Sequence, residues 1–357
     1  MIMRRKLKLE NKDIVFVSNA LANGGAARVM SVLANEFNER GVKVGIAVFS
    51  QLEGEYSVSP SVAKEYGPQG SGFKAKIDRV VWLRDVVKRN PGAAIVAFEY
   101  FVNMQTILAG TGLPNRVVVS ERNDPARVGN KFDWIRERLY RRADMLVCQT
   151  DEAADYFSDK VKKCVILNPL KDDLPEPFAG VRRKAVVTFC RLEPQKNLSM
   201  LLRAFAKFYK SHPDYSLEIY GDGSERESLL SLAADLNIAA CTSINPSRSD
   251  ILEVVRDAAM FVLPSNYEGL SNSMLEAMAI GLPCICTDCP CGGARMVIED
   301  GVNGYLVPVG DDKALLERME LADDCTALQM RMEYVCKLRA RLSIKDIANK
   351  WLKVIEE

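Results

Sequence analysis

The sequence predicts an α/β protein made of two doubly wound parallel-sheet domains, and three observations carry that expectation. Short apolar runs of strand length alternate with amphipathic stretches of helix length along most of the chain. The alternation is broken once, at residues 168–180, by a segment with three prolines and no apolar period, and then restarts. At 357 residues there is enough chain for two sizeable cores.

Taken in order, residues 13–18 read as a strand, 19–25 as a turn, 26–40 as a helix stopped by Gly41, and 42–49 as a second strand. A helix over 77–89 and strands over 93–98, 116–120, 145–148 and 165–167 continue the rhythm. After the break, strands are expected at 184–190, 216–220, 260–263 and 305–307, with helices at 198–209, 225–236, 314–321, 328–340 and 344–357. The resulting division is an N-terminal domain over 1–170, a linker over 171–183 and a C-terminal domain over 184–340. The final helix, 341–357, is expected to turn back towards the N-terminal domain. Sheets of this kind take ligands at the carboxyl ends of their strands, and two such domains imply a cleft between them.

Composition removes several functions. The formal charge of +1 gives no footprint for nucleic acid. No apolar run has the length of a membrane span, and the one after the basic residues 4–8 is too short for a secretory signal, so a cytoplasmic protein is expected. Ten cysteines are spread along the chain, many in strand-like runs, and read as small buried hydrophobes of a reducing compartment. Cys284, Cys286, Cys289 and Cys291 lack zinc spacing, so no metal is expected. The single histidine, His212, falls between a helix and a strand, which leaves no histidine base for catalysis.

The stretch 260–283 holds the densest chemistry. An apolar strand runs into a polar turn containing Glu268, and a helix stopped by Gly281 and Pro283 carries Glu276. Eight helical steps would separate the two acids by about 12 Å, long enough to grip both ends of an extended ligand and too long to act as a pair on one bond. The N–H groups of Ser271, Asn272 and Ser273 would offer an anion site between them. Ser273 and Glu276 also match a capping box, which would give Glu276 a purely local job.

Arg191 and Lys196, in Arg191-Leu-Glu-Pro-Gln-Lys-Asn197, leave the end of strand 184–190, with Asn197 as a helix N-cap. A guanidinium fork and an ammonium suit a diphosphate, although a solvated basic loop has the same composition. Gly221 and Gly223 follow a strand, but Arg226 replaces the third glycine of a dinucleotide fingerprint. These glycines, and the pair Gly24 and Gly25, permit close backbone approach by a ligand.

Together these pieces resemble the family-four retaining glycosyltransferases of GT-B fold. The resemblance rests on Gly24-Gly-Ala-Ala-Arg28, the 191–197 loop, Gly221 to Gly223, the E-x7-E of Glu268 and Glu276, and residues 287–295 and 299–308. It implies that Arg191 and Lys196 hold the donor diphosphate and stabilise the departing nucleotide. Glu276 would bind the ribose, Glu268 the donor sugar, and the backbone of Gly269, Leu270 and Ser271 would cover sugar and phosphate. Gly24 and Gly25 would approach from the opposite domain, and no metal or other cofactor is implied. Three positions depart from the family pattern: Ala27 stands for an acid, Met296 for a glutamate, and a first-domain histidine is missing. Residues 120–125 fall near that histidine's place, which makes Glu121, Arg122, Asn123 and Asp124 candidate sugar or acceptor contacts. A helix-entry turn with polar caps reads equally well there.

The expected partners are a nucleotide-sugar, with uridine the commonest base, and a glycan or lipid-linked saccharide of bacterial surface polysaccharide assembly. An anionic membrane surface is a further candidate, met by the basic segment 131–142 with Trp134 and Tyr140. Retention would follow from same-face attack or from a covalent intermediate. Two rivals remain: a Rossmann-type oxidoreductase, disfavoured by the failed fingerprint, and an inactive sugar-nucleotide-binding subunit, disfavoured by the intact Arg191, Lys196, Glu268 and Glu276.

Overall fold

In the computed structural model the described residues are 8–22, 24–128, 133–323 and 332–357. They form two units, each built on one parallel sheet. In the first, β1 (Ile14–Ser18), β2 (Val44–Val48), β3 (Ala63–Tyr66), β4 (Ala94–Phe98), β5 (Val117–Ser120), β6 (Met145–Cys148) and β7 (Lys163–Val165) pair in the order β3-β2-β1-β4-β5-β6-β7. Helices α1 (Gly25–Glu39), α2 (Gly72–Arg89), α3 (Tyr100–Gly110), α4 (Pro125–Val128), α5 (Asp133–Tyr140) and α6 (Asp151–Asp155) connect them. Strands β1, β2 and β4 are buried at every position, because helices cover both faces of the sheet and leave no polar side to alternate with.

The second unit repeats the plan. Its strands are β8 (Arg183–Phe189), β9 (Ser216–Tyr220), β10 (Thr242–Asn245), β11 (Ala258–Leu263), β12 (Cys284–Thr287) and β13 (Tyr305–Val307), in the order β10-β9-β8-β11-β12-β13. Its helices are α7 (Leu198–Ser211), α8 (Arg226–Asp235), α9 (Ile251–Val255), α10 (Asn272–Ala279), α11 (Asp312–Asp323) and α12 (Met332–Arg341). The apolar stripe of α7, Leu198, Leu201, Leu202, Phe205 and Phe208, lies at helical spacing and is buried against Leu217, Ile219, Met260 and Val262 of the sheet. In each sheet the strand order reverses once, between β1 and β4 and between β8 and β11.

The doubly wound parallel architecture is as the sequence predicts, with four local differences. Strands β3 and β10 are absent from the sequence reading. Both lie at sheet edges with a single buried residue each, Glu65 and Ile244, so neither carries an apolar run. β7 ends at Val165, where the apolar run 165–167 only begins. Helix α2 starts at Gly72, five residues before the first apolar position of the expected helix, because Ile77 and Val81 face outward.

The fourth difference concerns the expected linker over 171–183. It belongs to the second unit, which runs Leu170–Leu342. Arg182 fixes it by donating to the carbonyls of Arg256 (2.9 Å), Ala258 (3.0 Å) and Gly281 (2.6 Å), and Arg339 donates to the Pro175 carbonyl. Residues 328–331 of the expected helix 328–340 lie outside the described residues.

The last helix, α13 (Ile344–Glu356), belongs to the first unit and packs against α1. Arg40 donates to Asn349 Oδ1 (2.5 Å) and the Lys345 carbonyl (3.1 Å), and Arg116 Nε donates to the Val354 carbonyl (3.1 Å). Trp351 is fully buried with its ring 5.3 Å from that of Phe98. Trp351→Ala is expected to lower the unfolding free energy by about 3–5 kcal/mol in urea titrations. A loss under about 1 kcal/mol would mean that α13 adds little to this core.

Candidate functional site

In a doubly wound sheet, the connections on either side of the reversal point leave to opposite faces and open a crevice at the carboxyl ends. In the second unit that point lies between β8 and β11, and the two loops leaving it are 190–197 and 264–271. These loops carry Arg191, Lys196, Glu268, Gly269, Leu270 and Ser271.

One backbone bond and two side-chain bonds to backbone carbonyls join the two loops side by side. Asn266 donates from its N–H to the Gln195 carbonyl (2.8 Å) and from Nδ2 to the Pro194 carbonyl (2.9 Å), and Gln195 Nε2 donates to the Tyr267 carbonyl (2.9 Å). A 3₁₀ turn, Pro194–Lys196, then swings the Lys196 ammonium onto Glu268 Oε1, which also accepts from Ser265 Oγ at 3.1 Å. Lys196 is only 7% exposed. Burial pulls its pKa down, but the Glu268 carboxylate more than offsets this and holds it above the ordinary 10.5. The stability linked to this pairing is therefore fully present below 10.5 and is lost only as the pH rises through the raised value, so the ammonium stays charged at neutral pH. Arg191 is exposed, its Nη2 3.2 Å from Gln195 Oε1, and keeps donors directed to solvent. Asn197 sits at the N-cap of α7 in a left-handed conformation (φ 49°) and makes no capping bond with its side chain; its role is to turn the chain from the 3₁₀ segment into the helix.

At the start of α10 the structure decides between two readings of Glu276. The N-cap is Ser271, whose Oγ accepts from the Met274 N–H (3.5 Å), so the third helical position is Met274. Glu276 thus lies beyond the reach of a capping box. It is 5% exposed, and Lys171 Nζ from the segment before β8 lies 4.0 Å from its Oε1. Lys171 was not visible as a site residue in the sequence, where it sits among prolines with no motif around it. Asn272 is the first residue of α10, and Gly269 and Ser271 line a small hollow with Ser265, Glu268 and Thr287. Leu270 is buried.

The glycines divide into two kinds. A Cβ at Gly221 would come within 1.8 Å of the Cys190 carbonyl oxygen, and one at Gly223 within 2.3 Å of the Leu192 carbonyl oxygen. What approaches these glycines is the chain's own 190–192 backbone, not the open space for a ligand that the sequence suggested; they let the Arg191 loop lie flat on the end of β9. Gly293 does the same for the other loop, since a Cβ there would meet the Gly269 carbonyl oxygen at 1.7 Å. Gly24, the N-cap of α1, is extended (φ 173°), and a Cβ there would meet no described atom within 4 Å. Gly25 is the exposed first residue of α1.

The candidates of the first unit also separate. Glu121 is buried, with Oε1 accepting from Tyr140 Oη (2.5 Å) and 3.7 Å from Arg136 Nη1; burial raises its pKa although Arg136 opposes the shift. Asp124 is buried and accepts from the Ala126 N–H (2.9 Å), and Asn123 Oδ1 accepts from the Asp124 N–H (2.9 Å). These are the helix-entry roles that the sequence left open. Arg122 differs from them: it is half-buried, with its guanidinium 4.7 Å over the Phe98 ring. On the basic segment 131–142, residues 131 and 132 lie outside the described residues. Trp134 is exposed, whereas Tyr140 and Arg136 are fully buried, so the aromatic pair does not share an outer face. His212 stacks on Phe208 at the end of α7 (4.1 Å, 7°).

Comparisons with known proteins agree with this layout. Residues 173–338 match the model of the family described as glycosyl transferases group 1. A relative from Campylobacter jejuni, the GalNAc-alpha-(1->4)-GalNAc-alpha-(1->3)-diNAcBac-PP-undecaprenol alpha-1,4-N-acetyl-D-galactosaminyltransferase, is 25% identical over 355 residues, covering 96% of this chain and 98% of its own. Among solved structures, sucrose-phosphate synthase from Thermosynechococcus elongatus is similar with a TM-score of 0.84 at 16% identity, over 97% of this chain and 98% of that one. Anabaena Alr3699/HepE, solved in complex with UDP-glucose, reaches 0.82 at 16% identity, over 97% and 100%. The shared architecture is the GT-B fold.

Three substitutions test the geometry. Glu268→Gln leaves the buried Lys196 ammonium without a counter-charge and is expected to cost about 3 kcal/mol in urea unfolding, with Lys196→Met added on top restoring part of that loss. Strictly additive losses would mean that the two groups are not coupled. Gly293→Ala forces the 269–270 backbone to move, and amide hydrogen exchange of residues 268–271 should become faster; unchanged exchange would contradict the close approach described above.

Proposed function

We propose that the chain transfers a sugar, with retention, from a nucleotide-sugar to a saccharide acceptor, starting from the match of residues 173–338 to the glycosyl transferases group 1 model and from the GT-B fold. The observation that carries this reading is the Lys196 ammonium held against Glu268 at the β8/β11 reversal point, beside the N-terminus of α10.

Breaking a sugar–phosphate bond builds positive charge on the ring and negative charge on the departing diphosphate. Arg191, Lys196 and the N–H groups at the start of α10 supply fixed positive charge for the second. Glu276 accepts from ribose hydroxyls, while Glu268 lies where a sugar ring would meet it and tempers the charge on the ring. The backbone of Gly269 to Asn272 closes over sugar and phosphate. A carboxylate already held by an ammonium and the Ser265 hydroxyl is a weak nucleophile, which favours same-face attack with a diphosphate oxygen taking the acceptor's proton. With cationic side chains serving the diphosphate, the reaction as proposed requires no metal.

UDP is the proposed nucleotide, supported by Alr3699/HepE having been solved with UDP-glucose. A lipid-linked saccharide is the proposed acceptor, supported by the undecaprenol-linked substrate in the name of the Campylobacter jejuni relative. None of the helices among the described residues is long and apolar enough to cross a membrane. Contact with an anionic membrane surface at the cytoplasmic face is assigned to α2, where Phe73, Ile77 and Val81 recur every four residues and are 80%, 48% and 64% exposed, next to the exposed Lys74 and Lys76.

The purified chain, given a panel of nucleotide-sugars and a lipid-linked saccharide, should release free nucleotide only when the acceptor is present, equally with and without chelator. Lys196→Ala and Arg191→Ala should each lower kcat by about 10²–10³-fold. Absence of turnover across the panel would favour a binding subunit, and loss of activity on chelation would remove the metal-free mechanism. Pelleting with anionic vesicles should weaken in a Phe73→Ser, Val81→Ser double variant; equal pelleting would take the membrane contact away from α2.

A further inference from the structure

Two arginines of the first unit are held in different ways. Arg136 is fully buried and has carboxylates, with Glu121 at 3.7 Å and Asp133 at 3.3 Å. Arg122, half-buried over Phe98, has none within ion-pair distance among the described residues. Its Nη2 donates to Asn168 Oδ1 at 2.5 Å and its Nη1 approaches Ser120 Oγ at 3.5 Å, while its buried Nε meets no acceptor. Of the five N–H groups of a guanidinium, three are therefore left without a protein acceptor among the described residues. Burial draws its pKa down to about 9; only the Cys148 thiol opposes the shift, and no carboxylate does.

The surroundings are assembled from four adjacent strands. Phe98 ends β4, Arg122 follows the end of β5, Gln149 follows β6 directly, and Asn168 follows β7. Gln149 Nε2 also donates to Asn168 Oδ1 (2.7 Å), so that oxygen is held by two donors and fixes the guanidinium plane. A rigid cation at the carboxyl edge of a parallel sheet, without an internal counter-charge, stands in the place where such sheets take ligands. Leaving a desolvated charge uncompensated costs stability, and an oxyanion supplied from outside would relieve that cost.

We propose that the first unit carries an oxyanion site at the carboxyl ends of β4 to β7, with Arg122 as its fork-shaped donor and a phosphate-class group as its ligand. The site rests on the geometry of this unit alone. Only the source of the phosphate, the diphosphate of a lipid-linked acceptor or that of the donor, rests on the function proposed above.

The test uses the full chain and inorganic pyrophosphate as the probe, read as the rise in Tm on adding it. The rise seen for the wild type should fall by at least half in Arg122→Gln and Arg122→Met, and Arg122→Met should melt no lower than the wild type without pyrophosphate, because it removes an uncompensated buried charge. Arg191→Gln should keep the part of the rise that Arg122 contributes. If both Arg122 variants retain the full rise while Arg191→Gln loses it, the anion binds in the second unit and the proposal fails. It also fails if Arg122→Met melts several degrees lower and keeps the full rise, since Arg122 would then be structural. In turnover assays on Arg122→Gln, an increase of about tenfold in the acceptor's KM with kcat nearly unchanged identifies the acceptor as the source of the phosphate, and the same increase in the donor's KM identifies the donor.

Discussion

The contact between Lys196 and Glu268 is the constraint around which the second unit is arranged. Each group comes from a different loop, and neither loop alone would hold its charge in a water-poor position. The Asn266 and Gln195 bonds keep the loops in register, Gly221 and Gly223 let one of them lie against the sheet, and Gly293 lets the other settle under the 287–295 segment. Buried ion pairs are seldom more stabilising than apolar residues of the same size. A site that gathers so much local structure around one pair is therefore better understood through the charges it presents than through the stability it adds.

The helix that follows shows a similar economy. Ser271 caps α10 through its own hydroxyl, so Glu276, one turn further on, has no capping duty. Its carboxylate is buried and close to Lys171, which arrives from the segment before β8. That segment is tied to the second unit by Arg182 and Arg339, so its lysine is presented from an anchored backbone and not from a flexible tether.

The two units repeat one strand order, yet their carboxyl edges are furnished differently. In the second, cation and carboxylate face each other across the reversal point. In the first, Glu121 and Asp124 are committed to internal partners, and Arg122, with no acid at ion-pair distance among the described residues, sits over an aromatic ring at the same kind of edge. A shared topology thus supplies the position of a site, while the side chains after each strand decide its chemistry.

The sequence by itself determined the parallel doubly wound plan, because strands covered on both faces must be apolar throughout and the turns between them must be polar. It also determined which loops carry the charge, since Arg191, Lys196, Glu268 and Glu276 fall immediately after such strands or at the head of a helix. Only the tertiary structure decided the rest. Edge strands β3 and β10 bury too little to leave an apolar signature, and the anchoring of residues 171–183 depends on Arg182 and on Arg339 more than 150 positions away. Whether Glu276 caps a helix, whether Gly221 meets a ligand or its own chain, and which of Glu121 and Arg122 has a charged partner are all questions of contact. Such contacts join residues remote in sequence, and local pattern carries no record of them.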